Sequence, residues 1–198
     1  MKSAKKFSLA AMAAAVLLLS ACQTTPSNSL TFVPQAPNVS FNAANQNITL
    51  SVVAKDDRGR NEISAYTTNG GIFKLFSSPD VARLFDQVIR QDLNAKGFRI
   101  NDAAPAATNV FISVKEFYAQ VDAGNLRHKI SAKIQLEVHV QGVKGNFTKN
   151  IGASRIDEGL FSVEGKDIHK SLNAVLQEVV SSIYRDQEIA AAIRQYSN

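Results

Sequence analysis

The longest regular pattern of apolar and polar residues in the chain runs from Leu126 to Val140. Apolar side chains occupy every even position of this segment except His128, and polar or charged side chains occupy the odd positions. A two-residue period is typical of a strand with one buried and one solvated face. We therefore predict a long strand of an antiparallel sheet whose even positions face the core.

A second strand is predicted over residues 110–121, joined to the first by the turn-rich tetrapeptide Asp122-Ala123-Gly124-Asn125. Its apolar residues fall into two sets of opposite parity, Val110, Ile112 and Val114, followed by Phe117, Ala119 and Val121. An unbroken strand cannot bury both sets, because successive side chains point to opposite faces. We predict a β-bulge near Lys115-Glu116 that shifts the phase.

The other predicted elements are shorter strands and three helices. Strands are expected at residues 48–54, 72–76, 98–100 and about 147–155. Apolar residues at steps of three and four predict helices at 78–96, 166–184 and 187–196, the first capped by Ser78, with Pro79 in its first turn, and ended by Gly97. The predicted fold class is α+β, an antiparallel sheet covered on one face by two amphipathic helices in a two-layer sandwich, with a short C-terminal helix.

The first 22 residues have the pattern of an export signal. Lys2, Lys5 and Lys6 precede eleven apolar residues from Leu9 to Leu19, a stretch too short to span a bilayer as a helix. The next residues, Leu19-Ser20-Ala21-Cys22, resemble the bacterial lipobox, after which the cysteine carries acyl chains such as palmitate. We expect a signal peptide at 1–21, cleavage between Ala21 and Cys22, and lipidation of Cys22.

Processing at this site changes the net charge of the chain and the chemical role of its single cysteine. Removing residues 1–21 lowers the formal net charge from +5 to +2, with 19 basic and 17 acidic side chains left, which gives no indication of nucleic-acid binding. The single cysteine excludes an intramolecular disulfide framework and becomes the membrane anchor. Gln23, where inner-membrane lipoproteins of the enteric type carry Asp, implies by that resemblance the periplasmic face of the outer membrane.

The expected domain organisation is an anchor, a tether and one domain. Residues 22–46 comprise the lipidated cysteine and a polar, proline-broken stretch that is expected to be flexible. A single periplasmic α+β domain is expected over 47–198. The length of the chain suits one ordinary domain.

No catalytic, cofactor or metal motif stands out. His128, His139 and His169 lack metal-ligand spacing, and His128 is expected at the rim of the core. A surface for a partner is suggested by Asn125, Arg127, Lys129 and Lys133 on the polar face of the central strand, with Lys115 and Lys149 nearby. Such a basic strip suits lipid A phosphates, peptidoglycan carboxylates or an acidic protein; the alternative is an ordinary solvated face.

Several segments resemble the YajG family of bacterial lipoproteins. They are the lipobox, the stretch from Tyr118 to Arg127, the helix at 79–97, Thr148-Lys149-Asn150 and Glu158-Gly159-Leu160-Phe161. The resemblance covers nearly the whole chain after Cys22 and implies a lipoprotein, without an established activity to transfer.

Two functional hypotheses follow. The first is a non-enzymatic lipoprotein that binds an envelope partner through its sheet or hairpin. The second is a periplasmic enzyme or ligand-binding protein for cell-wall fragments, with a cleft between the helix at 79–97 and the hairpin. A polar pocket with His128 beside a carboxylate would favour the second hypothesis, and a filled core with an exposed sheet edge would favour the first.

Overall fold

The computed structural model describes residues 27–68, 70–102 and 106–197. Its strands are β1 (Ser29–Thr31), β2 (Thr49–Asp56), β3 (Ser64–Thr68), β4 (Gly71–Ser78), β5 (Arg99–Ile100), β6 (Thr108–Ala123), β7 (Arg127–Gly142) and β8 (Gly145–Leu160). Its helices are α1 (Val81–Ala95), α2 (Gly165–Arg185) and α3 (Glu188–Ser197), and a 3-10 turn at Ala43–Asn47 precedes β2. The predicted signal peptide, the cleavage site at Ala21 and Cys22, and the lipidation of Cys22 lie outside the described residues.

The sheet is built around the antiparallel meander β6–β7–β8, in which each strand is 16 residues long. Two shorter strands share the other side of β6. Strand β2 runs parallel to its first half, and β3 runs parallel to its second half. Strand β5 extends the sheet beside β2 in parallel, while β4 and then β1 extend it beyond β3.

The predicted fold class is therefore wrong in two respects, although the α+β content is right. The sheet is mixed rather than antiparallel, and the short C-terminal helix packs on the sheet together with the two helices that were expected to cover it. Parallel strands need a crossover connection, and α1 supplies part of it by returning the chain between β4 and β5. The alternation of apolar and polar residues in β7 indicates that one face of the strand is solvated. It carries no information on the direction of the strands beyond β6.

The even positions of β7 face a continuous core under the helices. Ile130, Ile134 and Val138 are fully buried there. Helix α1 packs on β2 and β6, and α2 and α3 pack on the meander. The opposite face of β6, β7 and β8, whose odd positions on β7 are exposed or half-buried, is called the outer face below.

The predicted β-bulge is confirmed. The pairing of β6 with β7 shifts register between Val114 and Glu116, which leaves Lys115 as the extra residue. As a result, Val114 and Phe117 are both fully buried, although their spacing in an unbroken strand would put them on opposite faces.

The loop between β2 and β3 covers the bulge. The backbone N–H of Asp57 donates to the carbonyl of Val114, at 3.0 Å. Arg58, whose side chain is almost fully buried, donates to the carbonyl of Phe117 at 2.9 Å and holds Asp56 through Nε and Nη2. Because β2 ends and β3 begins here, Arg58 satisfies a backbone carbonyl in the gap between the two strands.

Packing begins earlier than the predicted domain start at residue 47. Strand β1 pairs with β4, and Phe32 is 2% exposed against Phe117, with ring centroids 5.3 Å apart. Helix α2 holds the same segment, because Gln177 donates to the carbonyl of Val33 and Tyr184 donates to the carbonyl of Gln35. The segment from Ser29 to Gln35 is therefore packed on the domain and is not part of a flexible tether.

The start of α1 also differs from the prediction. Asp80, not Ser78, caps the helix, and its carboxylate accepts from the backbone N–H of Arg83 at 2.9 Å. Gly97 ends the helical segment with a φ of 97°, as predicted.

A buried ion pair links the ends of α1 and α2. Lys96 Nζ lies 2.8 Å from an Asp92 carboxylate oxygen and donates to the carbonyl of Asp186, just beyond α2, at 2.9 Å. Burial raises the pKa of Asp92 from 3.8 to about 6, although the charge of Lys96 opposes this rise. The folded protein therefore retains a proton on Asp92 at pH values where the unfolded chain has released it.

This proton predicts a stability change with a defined sign. Below pH 3.8 both states hold the proton; between about pH 4 and 6 only the folded state does, so Asp92 contributes less stability as pH rises through this window. The unfolding free energy of the wild type relative to Asp92→Asn should fall by roughly 2 kcal/mol from pH 4 to 7. Urea unfolding of both proteins across this range measures the difference, and a constant or rising difference would contradict the assignment.

Candidate binding surface

The outer face is the surface that the helices leave uncovered. Two rows of side chains run across this face from strand to strand, at different positions along the strands. The first row is Val53, Phe111, His139 and Thr148, which are successive register partners on β2, β6, β7 and β8. Phe111 stacks on His139 with ring centroids 6.3 Å apart, and His139 Nδ1 hydrogen-bonds Thr148 Oγ1 at 2.8 Å.

The second row is centred on Lys133. Its register partners are Tyr118 on β6 and Ser154 on β8. The guanidinium of Arg60, from the loop between β2 and β3, lies 4.5 Å from the centre of the Tyr118 ring, a cation–π geometry. This row therefore combines two cationic groups with an aromatic ring.

Shallow depressions of about 320 Å³ lie on both sides of Lys133. One is lined by Tyr118, Glu116 and Arg60. The other lies over Gly152, whose lack of a side chain leaves room between Gln135 and Asn150. Ammonium, guanidinium, amide and hydroxyl groups around an aromatic ring can bind carboxylates and hydroxyl-rich chains.

The predicted basic strip is only partly brought together. Lys133 lies in the second row, whereas Lys129 has a carboxylate directly opposite on each side, Asp122 on β6 and Glu158 on β8. Arg127 lies opposite Leu160 at the end of the sheet, and Asn125 is exposed in the adjacent turn. The four predicted residues thus extend along the strand and do not form one uniformly basic site.

The two additional lysines lie elsewhere. Lys115 is the extra residue of the bulge and lies 3.5 Å from Glu137. Lys149 contacts Asp186 and Glu188 at the start of α3 and belongs to the helix-covered side. Hydrogen bonding to these two carboxylates raises the pKa of Lys149, so its charge is already paired and is not available to the outer face.

His128, which was expected at the rim of the core, lies beside a polar cleft. The cleft has a volume of about 480 Å³ and lies between the end of β8 and the start of α2, not between α1 and the hairpin. Nδ1 of His128 donates to the carbonyl of Phe161 at 2.9 Å, since a carbonyl can only accept. Asp157, also in the cleft, has a lowered pKa because Arg155 donates to its carboxylate.

The hydrogen bond of His128 in this cleft is made by Nδ1 to a backbone carbonyl and not to a carboxylate. The His–carboxylate pair that would favour an enzyme is therefore not formed through Nδ1. A carboxyl group with a lowered pKa is a poor general acid near neutral pH. Within the described ranges, no group of three or more His, Cys, Asp or Glu side chains is arranged to hold a metal ion.

Sequence reasoning missed two contributors to these surfaces. Arg60 comes from a loop, and its position over Tyr118 depends on the long-range pairing of β2 and β3 with β6. Phe161 is exposed and has a φ of 64°, a backbone region that bulky residues rarely adopt. The motif Glu158-Gly159-Leu160-Phe161 marks its neighbourhood in the sequence but does not indicate its conformation.

The amino-acid sequence is similar to those of known proteins. A family model named Lipoprotein_16 and described as "Uncharacterized lipoprotein" matches residues 34–194. The chain belongs to this lipoprotein family. The "Uncharacterized lipoprotein YajG" of Escherichia coli strain K12 is 28% identical over 187 residues, which cover 91% of this chain and 93% of YajG. The resemblance to the YajG family is confirmed.

Solved structures offer distant likenesses of the backbone. The crystal structure of protein XCC0632 from Xanthomonas campestris has a TM-score of 0.49 at 15% identity, covering 82% of this chain and 97% of that one. Protein CT253 from Chlamydia trachomatis has a TM-score of 0.36 at 14% identity, covering 75% and 96%.

Family membership makes the chain a lipoprotein of the cell envelope. Among the described helices, none has the length and apolar character needed to cross a bilayer.

The packing of His128 yields a stability prediction. A Cβ added at Gly159 would lie 2.5 Å from the His128 ring, so Gly159→Ala should displace the ring and destabilise the fold by about 1–3 kcal/mol. Gly71→Ala is the matched control, because the added Cβ would meet nothing closer than 4.0 Å. Thermal unfolding compares the two variants, and equal melting temperatures would refute the proposed contact.

Proposed function

We propose that the protein is an outer-membrane lipoprotein with its domain in the periplasm, serving as a non-enzymatic binding or accessory module for an envelope partner. Cleavage between Ala21 and Cys22 and acylation of Cys22 supply the anchor. Family membership and the lipobox residues support this anchor, and Gln23 after the cysteine supports the outer membrane as the destination.

The uncovered outer face is the observation that carries the binding role. The helices take one side of the meander, and in the described part of the chain β8 pairs with β7 alone. A sheet face and an open edge of this length are the features through which sheet proteins recruit partners. The row of Arg60, Tyr118 and Lys133 gives that face a defined chemistry.

This chemistry favours a partner that carries carboxylates, either an acidic protein or peptidoglycan. Two cationic side chains flank the Tyr118 ring, and the adjoining depression over Gly152 offers amide and hydroxyl groups. Lipid A phosphates fit less well, because carboxylates stand opposite Lys129 on both neighbouring strands. A nucleic-acid partner is not proposed, because the charge after processing is close to neutral.

The alternative, an enzyme or ligand-binding protein for cell-wall fragments, would use the cleft beside His128. The cleft is polar and open enough for a small ligand. Nδ1 of His128 bonds a backbone carbonyl and not a carboxylate, and the lowered pKa of Asp157 makes this residue a poor general acid near neutral pH. The outer face is therefore the preferred site.

Photo-crosslinking in intact cells tests the binding role. Tyr118 is replaced by the photoreactive residue p-benzoylphenylalanine, which keeps an aromatic ring at the site. We expect a discrete adduct whose yield falls roughly tenfold when Lys133→Glu is added, which corresponds to about 1.4 kcal/mol of binding free energy. Lys144→Glu, the same charge reversal in the exposed turn after β7, should leave the yield unchanged.

The identity of the adduct then separates the proposed partners. Mass spectrometry distinguishes an acidic protein from a peptidoglycan fragment. An adduct from a photoreactive group at the exposed Glu178 of α2, with none from position 118, would contradict the assignment of the outer face. An adduct that is insensitive to Lys133→Glu would contradict the chemistry assigned to it.

A further inference from the structure

One end of the sheet exposes a group of large apolar side chains. Ile72 (76% exposed), Leu126 (72%), Leu160 (62%) and Phe161 (68%) form what we call the tip cluster. Strands β3 and β6 run in parallel toward this end, and β4 and β7 start from it, so the β3–β4 end, the β6–β7 turn and the end of β8 lie together. Exposed apolar side chains concentrated at one end of a domain commonly mark a protein or membrane contact.

Local hydrogen bonds fix part of the cluster in its exposed position. The backbone N–H of Phe161 donates to the carbonyl of Leu126 at 3.0 Å, and its own carbonyl accepts from buried His128. Gly159 leaves the space that the His128 ring fills. Both backbone polar groups of Phe161 are therefore satisfied while its ring remains in solvent, in a backbone conformation that bulky residues rarely adopt.

The N-terminal segment approaches from the same end. Strand β1 runs parallel to β4, which starts at the tip end with Gly71, so the chain enters β1 from the tip side. Ser29 pairs with Phe76 of β4. The residue before Phe76, Leu75, pairs with Ser64 of β3, and Ser64 in turn pairs with Ala119 of β6. The tip end of β6, at Ala123, is thus about five residues or 17 Å from the level of β1.

The length of chain before β1 decides which end can meet the membrane. The six residue steps from Cys22 to Asn28 span at most about 22 Å. A segment of this length is long enough for Cys22 to reach the level of the tip end. It does not reach the opposite end of β6 at Thr108, which is about ten residues or 33 Å from the level of β1. A lipid on Cys22 therefore holds the domain with its tip end toward the bilayer.

We propose that the tip cluster inserts into the surface of the phospholipid bilayer to which the lipid on Cys22 is attached. This inference rests on the proposed anchor at Cys22. Arg127, exposed directly opposite Leu160, lies where its guanidinium can meet lipid phosphates while the apolar side chains enter the acyl region. The long strands then extend away from the membrane and present the outer face sideways to the periplasm.

Depth-dependent fluorescence quenching tests this placement. Cys22 is the only cysteine in the chain, so its acylation leaves an introduced cysteine as the sole free thiol. Leu126→Cys and Leu160→Cys are labelled with an environment-sensitive dye in the lipidated protein, reconstituted into vesicles of phosphatidylethanolamine and phosphatidylglycerol. Val143→Cys is the matched control, since Val143 is equally exposed, at 73%, in the turn between β7 and β8 at the opposite end.

We expect the dyes at 126 and 160 to be quenched several-fold more by nitroxides on the lipid acyl chains than the dye at 143. The dye at 143 should be quenched by aqueous iodide. Equal iodide quenching at all three positions in protein that floats with the vesicles would overturn the insertion while leaving the anchor intact. Protection from iodide without nitroxide quenching would mean that protein covers the cluster, and would also overturn it.

Flotation of the same samples keeps the anchor and the insertion distinguishable. The three labelled proteins should float with the vesicles. Cys22→Ser produced without residues 1–21, which lacks both the acyl chains and the apolar stretch of the signal peptide, should not be retained on the vesicles after a high-salt wash. A Cys22→Ser protein that floats as well as the parent, or a parent that fails to float, would refute the anchor and with it the proposed orientation.

Discussion

The shift of phase at Lys115 is the constraint on which the rest of the structure depends. Strand β6 buries Val114 on one side of the bulge and Phe117 on the other, and it can do so only because one residue is left out of the pairing with β7. The same place marks the change of neighbour from β2 to β3, with Arg58 bonded to the carbonyl of Phe117 in the gap. One extra residue thus permits a continuous core along β6 from Val110 to Ala119.

The outer face follows from the same shift. With the bulge, Tyr118 lies opposite Lys133, and Arg60 stacks on its ring. Without it, Tyr118 would lie opposite Ala132, whose side chain is buried in the core. The second row of the candidate binding surface would then not exist. At the far end of the strands, the separate and unbroken pairing of β7 with β8 brings Leu126, Leu160 and Phe161 to one end of the sheet.

Much of this fold was predictable from local pattern, and the remainder depends on contacts distant in sequence. The alternation in β7 and the two parities in β6 were sufficient to predict the hairpin and the bulge, because side-chain direction has a strict period of two. The parallel pairing of β2 and β3 with β6 has no local signature, so the sheet was wrongly predicted to be antiparallel. The packing of β1 was missed because its short apolar run lies in a mostly polar, proline-containing stretch, and the burial of Phe32 depends on Phe117, far along the chain. Of the predicted surface residues, Lys133 joined a defined row, whereas Lys129 was placed between carboxylates that only the register of three strands reveals.

Cross-strand nuclear Overhauser effects between backbone protons of β6 and β7 test the phase shift most directly. The bulge predicts contacts that pair Val114 with Leu136 and Phe117 with Ile134. Three steps along β6 then correspond to only two steps along β7, because Lys115 has no partner. Contacts that pair Phe117 with Lys133 would show an unbroken ladder. That result would place Tyr118 on the core side and would contradict both the bulge and the binding surface built on it.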